Sequence, residues 1–259
     1  FLLVVVAFIG FVAVIAQTLL IRELLNVFSG NELTYGLTIF SWLLLYAFGS
    51  GILGRLADRI KSKILIFWLL ILSIIVLLPC EIFLARSIRP LLGIPFGMEI
   101  GPSSILPIIF ILLAPITIIF GFLFSLASKI LENISRVYIF EALGALLGGL
   151  LCTFIIFNIP LFPNDSPYGR ISIVKYDRSL NFYENGSFLF STANVPVAEE
   201  TAHLSLLPHP NPKKILLLGG GLGGVLKELT KYPLDKIDYV ELDFKLIELA
   251  KNLIPDDRR

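Results

Sequence analysis

The chain has 259 residues, 56% of them hydrophobic, and a formal net charge of +1; a mean hydropathy of +0.86 is too high for a wholly water-soluble protein. Asp165–Arg259 carries 12 basic and 13 acidic side chains, which excludes the electrostatic footprint of a nucleic-acid binder. The two cysteines, Cys80 and Cys152, fall in apolar stretches without metal-ligand spacing, so they read as packing residues and no metal site is expected.

A helix needs about 20 mostly apolar residues to cross a bilayer. Windows at Phe1–Ile21, Leu33–Leu53, Ile64–Phe83, Ile105–Ala127 and Tyr138–Ile159 qualify. The first is long and no basic segment precedes it, so a membrane helix is expected there rather than a signal peptide. The only methionine is Met98, and the chain is read as beginning inside a longer protein. Between the second and third windows, Arg55, Arg59, Lys61 and Lys63 outnumber Asp58, which marks a cytoplasmic loop. The connection near Lys129–Arg136 is basic too and is expected on the same side. Alternation then puts the amino terminus inside, the Leu24–Leu33 connection outside, and the exit from the fifth window outside. That exit suits a cytosolic nucleotide poorly. Three arrangements stay open: one stretch is re-entrant, a sixth span is missing, or the following domain faces outward.

Gly144 and Gly148 in the fifth window, and Ala47 and Gly51 in the second, stand four apart and are expected to let helices pack closely. Pro107 and Pro115 are expected to kink the fourth. Ionisable or polar residues at membrane depth are functional candidates; here these are Glu141, one turn into the fifth window, and Gln17, deep in the first. Glu81 and Arg22-Glu23 lie near window ends, where they are expected to snorkel or pair.

Pro163–Tyr168 reads as a linker. Arg170–Tyr176 alternates as a strand, and Asn181–Glu184, Asn185-Gly186 and Ser187–Phe190 read as a hairpin around a turn whose residues tolerate positive φ. A helix over Glu199–Leu207 is stopped by Pro208 and Pro210. Strand Lys214–Leu218, a glycine loop, helix Val225–Lys231, strand Ile237–Glu241 and helix Phe244–Asn252 follow. The loop residues Gly219, Gly220, Gly221, Gly223 and Gly224 fit G-x-G-x-x-G, and Glu241 ends the next strand, where a carboxylate would accept ribose hydroxyls. The expected architecture is an α-helical membrane bundle over 1–162, a linker and small β-hairpin domain over 163–212, and the start of an α/β Rossmann-like, methyltransferase-type domain over 213–259 that is cut short.

Tyr168-Gly169-Arg170, the Asn185-Gly186 hairpin, Ala202-His203, His209-Pro210-Asn211-Pro212, Gly219–Gly224 and Val240-Glu241-Leu242-Asp243 together resemble the spermidine synthase (aminopropyltransferase) family from Ser166 to about Pro255. The first half, with Gly54-Arg55-Leu56-Ala57-Asp58-Arg59 and Glu141-Ala142-Leu143-Gly144, resembles the multi-span region fused to such domains in bacterial proteins. The resemblance implies transfer of an aminopropyl group from decarboxylated S-adenosylmethionine to an amine, with that donor as co-substrate and no tightly bound cofactor. It also exposes departures. Leu222 stands where the family has an Asp that meets the donor's amine, Val197-Ala198 replaces a Tyr-Gln pair that holds the polyamine, and Ala193-Asn194 replaces Asp-Glu. Glu199 and Glu241 match. The family's catalytic Asp follows a later strand, so no catalytic residue is assigned.

The expected protein is thus a membrane-anchored, spermidine synthase-like transferase, multi-pass in a bacterial cytoplasmic membrane. Its partners are the lipid bilayer and a small amine or other acceptor, with no nucleic acid; a homo-oligomer stays open. The alternatives are a methyltransferase-like enzyme using intact S-adenosylmethionine, and a non-catalytic nucleoside-sensing transporter or sensor.

Overall fold

Long apolar runs and asparagine caps set the first part of the structure, a computed structural model that describes residues 1–28, 30–98, 100–156, 159–160 and 162–254. Contacts divide the chain into two units, Phe1–Ile159 and Pro160–Arg259. The first contains helices α1 (Leu2–Val27), α2 (Glu32–Ala47), α3 (Lys63–Leu91), α4 (Pro102–Leu131) and α5 (Ile134–Phe154). Between α2 and α3 the chain makes a π-helical turn over Phe48–Ile52 and a tighter 3-10 segment over Leu53–Asp58. The Asn31 side chain accepts from the Thr34 amide at 2.8 Å and that of Asn133 from the Arg136 amide at 3.0 Å, which starts α2 and α5. Among the described residues, five helices, counting α2 with its extension to Asp58, are long and apolar enough to cross a membrane.

Contacts between helices advance in step. Ala7 meets Gly144, Phe11 meets Gly148 and Val14 meets Gly149, so α1 and α5 run parallel. The Trp42 ring lies 6.2 Å from that of Phe120 and the Tyr46 ring 6.5 Å from that of Phe124, both pairs tilted, so α2 and α4 run parallel as well. Glu23 pairs with Arg86 at 2.6 Å and the Val27 carbonyl accepts from Arg89 at 2.8 Å, which orients α3 with α1. The odd-numbered helices α1, α3 and α5 therefore share one direction. Lys129 donates to the Gly54 carbonyl at 2.7 Å and pairs with Asp58 at 2.5 Å. The two basic connections thus lie at one end of this unit.

Several expectations need correction. Gly144 and Gly148 pack closely as expected, and Gly10 of α1 joins them: a Cβ on any of the three would meet backbone of the facing helix. In the second helix the close-packing residues are Gly49 and Gly54 rather than Ala47 and Gly51, since nothing lies within 4 Å of a Cβ built on Gly51. Glu81 is not at a helix end; it lies inside α3 and is 3% exposed. Pro107 and Pro115 both lie inside α4, where the sequence places them. Glu141 sits two turns into α5.

The second unit begins with an ordered turn. Asp165 and Ser166 are buried, and the Ser166 hydroxyl accepts from the Tyr168 and Gly169 amides, both at 3.1 Å. Asn185 Oδ1 accepts from the Arg170 amide at 2.9 Å. The segment read as a linker is therefore pinned to the hairpin. Strands β1 (Ile171–Tyr176), β2 (Ser179–Glu184) and β3 (Ser187–Ser191) form an antiparallel meander, with Asn185 at φ 50° and Gly186 at φ 82° in the turn. Helix α6 (Val195–Leu206) starts earlier than expected because Pro196 fits its first turn, where no amide is needed. Strands β4 (Lys214–Leu218) and β5 (Lys236–Val240) pair in parallel, Leu217 opposite Tyr239, with α7 (Val225–Leu229) between them and α8 (Phe244–Leu253) after.

Alternation along β4 and β5 turns Ile215, Leu217 and Ile237 toward α6 and α7, where they pack on Ala198, Ala202, Val225 and Leu229. The other face exposes Leu216, Leu218 and Val240. The meander buries Ile171 and Phe182 against Leu246 and Ala250 of α8, with Leu222 at the edge of that core. This is a helical unit followed by a small α/β unit, consistent with a shortened Rossmann-like domain.

Candidate functional site

The glycine loop turns the chain from β4 into α7. Gly219 and Gly220 have φ of 66° and 70°, a region that costs a side chain strain. The Gly219 amide donates to the Val240 carbonyl at 2.9 Å, which closes the loop over the end of β5. Gly221 lies against the Tyr239 ring, and a Cβ there would come within 2.7 Å of it. A Cβ on Gly223 would meet Phe190 of β3 at 2.9 Å. The loop is thus wedged between the meander and the parallel sheet, with Gly220 and Gly223 facing a cavity of about 370 Å3.

That cavity also receives Glu241, directly after β5. Glu241 Oε2 accepts from the Tyr239 hydroxyl at 2.5 Å and Oε1 from the Leu242 amide at 3.0 Å. Burial and this hydrogen bond to Glu241 push the Tyr239 phenol above its ordinary value, so it stays a donor. The carboxylate is held at the rim by two donors and keeps lone pairs for further ones.

Among the residues expected at the site, the structure brings Gly220, Gly223 and Glu241 to this cavity. Gly219, Gly221 and Gly224 shape the loop but do not line it; Gly224, at φ 105°, borders a smaller cavity with Lys227 and Glu228. Of the departures noted in the sequence, Asn194, Val197, Ala198 and Leu222 line this cavity, and Ala193 does not. Glu199 does not line it.

Sequence reasoning missed two acids here. Asp243 caps α8, its Oδ1 accepting from the Lys245 amide at 2.9 Å, while its buried Oδ2 has no hydrogen-bond partner among the described residues. Glu184, at the end of β2, faces both other acids; burial first, then the charges of Asp243 and Glu241, raise its carboxyl above the usual range. The signals were an acid just before Asn185-Gly186 and an Asp at a helix start, both of which read as ordinary turn and cap residues. The site therefore joins an acidic edge to an apolar wall.

Comparison with known proteins locates this arrangement. Residues 195–258 match the spermine/spermidine synthase domain. A polyamine aminopropyltransferase of Streptococcus pneumoniae is 50% identical over 74 residues, covering 28% of this chain and 26% of that protein. One from Agathobacter rectalis is 36% identical over 99 residues, 37% of this chain and 35% of its own length. Putrescine N-methyltransferase 2 of Nicotiana tabacum is 37% identical over 99 residues, 38% of this chain and 25% of its own. No solved structure matches significantly. The chain spans between 25% and 35% of the length of these relatives. Family support for the spermine/spermidine synthases thus rests on the second unit, on the stretch that holds the glycine loop and Glu241.

Proposed function

We propose that the chain is a membrane-anchored protein of spermidine synthase type whose second unit binds an adenosyl nucleoside. The observation that carries this reading is the shared cavity, with Gly220 and Gly223 on one wall and Glu241 on another. Glycines let a ligand approach the backbone, and the carboxylate accepts hydrogen bonds from ribose hydroxyls. The five apolar helices anchor it in a bilayer, with the basic connections on the cytoplasmic side.

In aminopropyl transfer the acceptor amine's lone pair attacks the carbon beside the sulfonium. The carbon–sulfur bond breaks toward sulfur, and the nitrogen gives up a proton. Such a reaction needs an amine held unprotonated and in line. The walls formed by Val197, Ala198 and Leu222 offer no charge to an ammonium, and an unpaired buried ammonium is costly. On this reading the acceptor and aminopropyl ends differ from the family's at these positions, and an ammonium in the cavity would have to meet Glu184 or Asp243 instead. A second reading, methyl transfer from intact S-adenosylmethionine, is favoured by the match to putrescine N-methyltransferase.

The test is calorimetric titration of the full chain in detergent with decarboxylated S-adenosylmethionine, S-adenosylmethionine and NAD. Binding of either adenosyl sulfonium in preference to NAD supports the nucleoside site, and the preference between the two separates the readings. Extraction of the chain by carbonate wash without detergent would overturn the anchor.

A further inference from the structure

The helical unit holds a separate cavity of about 230 Å3 between α1, α2 and α5. Its walls are regular helix faces. Gly10, Ala13 and Gln17 recur at helical spacing along α1, Trp42 and Tyr46 are one turn apart on α2, and Tyr138, Glu141 and Ala145 follow on α5. The small residues leave the room. The Glu141 carbonyl lies where a Gly10 side chain would be, and this close approach brings Gln17 and Glu141 to one space.

The chemistry of the lining is specific. The Tyr46 hydroxyl donates to Glu141 Oε1 at 2.7 Å and fixes the carboxylate in the wall. The other carboxylate oxygen and the Gln17 amide have no hydrogen-bond partner among the described residues. A carboxyl inside an apolar bundle either stays neutral or meets a cation, and no Lys or Arg lines this cavity. Arg86 is paired with Glu23, Arg89 with carbonyls of Val27, Pro95 and Met98, and Lys129 with Asp58. The cavity therefore has room for a cation beside the Glu141 carboxyl that its own lining does not supply. Three aromatic rings beside one carboxylate are the surroundings in which an ammonium is held by hydrogen bonding and by cation–π attraction together.

We propose that this cavity binds a small organic ammonium ion, its charge set between the Glu141 carboxylate and the rings of Trp42, Tyr46 and Tyr138, with the Gln17 oxygen as a second acceptor. The site shares no residue with the nucleoside cavity, so either can fail alone. A side chain of a partner helix filling the same space is the competing outcome.

Calorimetric titration of the full chain in detergent with n-butylammonium, against n-butanol as its neutral counterpart, tests the site. Saturable binding of the cation but not the alcohol is expected. Glu141→Gln should weaken it about tenfold or more, through loss of the charge-assisted bond. Ala145→Leu should block it by filling the cavity while leaving the melting temperature close to wild type. Should Glu141→Gln fail to fold, Ala145→Leu decides. Equal binding of cation and alcohol, unchanged affinity in either variant, or no binding of the cation would each overturn the assignment, the last of these favouring a partner helix.

Discussion

Glu81 Oε1 accepts the backbone amide of Ile116 at 3.0 Å, so a carboxylate buried in α3 binds α4 one residue after Pro115. Proline removes its own amide and crowds the carbonyl one turn earlier, which loosens the helix ladder there. A side chain from a neighbouring helix then supplies an acceptor at the weakened point. Glu81→Gln keeps an acceptor and should be tolerated. Glu81→Leu leaves a buried amide without this partner and should cost about 1–3 kcal/mol. Denaturant unfolding in detergent distinguishes them, and equal stability of the two variants would mean that the contact contributes nothing.

The seam between α1 and α5 yields a second contrast. Gly144 faces the Ala7 backbone carbonyl, so Gly144→Ala forces the helices apart and should cost about 1–3 kcal/mol. Gly51→Ala, at a position with nothing within 4 Å, should be nearly neutral or slightly stabilising. Thermal melts of the two variants check this.

The positions that sequence reading missed have physical causes. Hydropathy located the five helices because bilayer-length apolar runs leave little alternative, but it truncated α3 near Phe83. Arg86 and Arg89 lower the score there, although one pairs with Glu23 and the other caps carbonyls, so the helix runs on to Leu91. Glu81 was consequently placed at an end. Spacing by four selected Ala47 and Gly51, but the π-helical turn over Phe48–Ile52 takes extra residues per turn and shifts the packed face to Gly49 and Gly54. Asn185-Gly186 and the Lys214–Leu218 strand were legible because turn chemistry and a glycine stop act locally. The convergence of Glu184 with Asp243 was not, since it depends on how the meander packs against α8.

That convergence predicts a pH dependence. Glu184 is raised in the folded chain by burial and by the charges of Asp243 and Glu241. Its contribution to stability is full below the unfolded value and is lost as pH rises through the higher folded value. Glu184→Gln, which cannot ionise, should therefore raise the melting temperature of the second unit near neutral pH. The gain should vanish below about pH 4, where both forms of the wild-type carboxyl are protonated. A gain of the same size at both pH values would point to packing rather than charge.

Leu222 is the position where ligand choice and folding meet. It lines the cavity proposed for the nucleoside and also packs at the edge of the core formed by Ile171, Phe182 and Leu246. Leu222→Asp should therefore lose some stability without ligand, because a carboxylate replaces apolar contact. The same change provides an anion for the ammonium of decarboxylated S-adenosylmethionine, and should strengthen that ligand selectively over S-adenosylmethionine, whose carboxylate it would repel. Glu241→Ala should weaken both, since hydrogen bonds to a charged acceptor contribute about 1.5–3 kcal/mol, or roughly tenfold or more in affinity. Calorimetry on the three proteins, with melting curves recorded alongside, separates the effects. Identical affinities for both donors in wild type, Leu222→Asp and Glu241→Ala would place the nucleoside elsewhere.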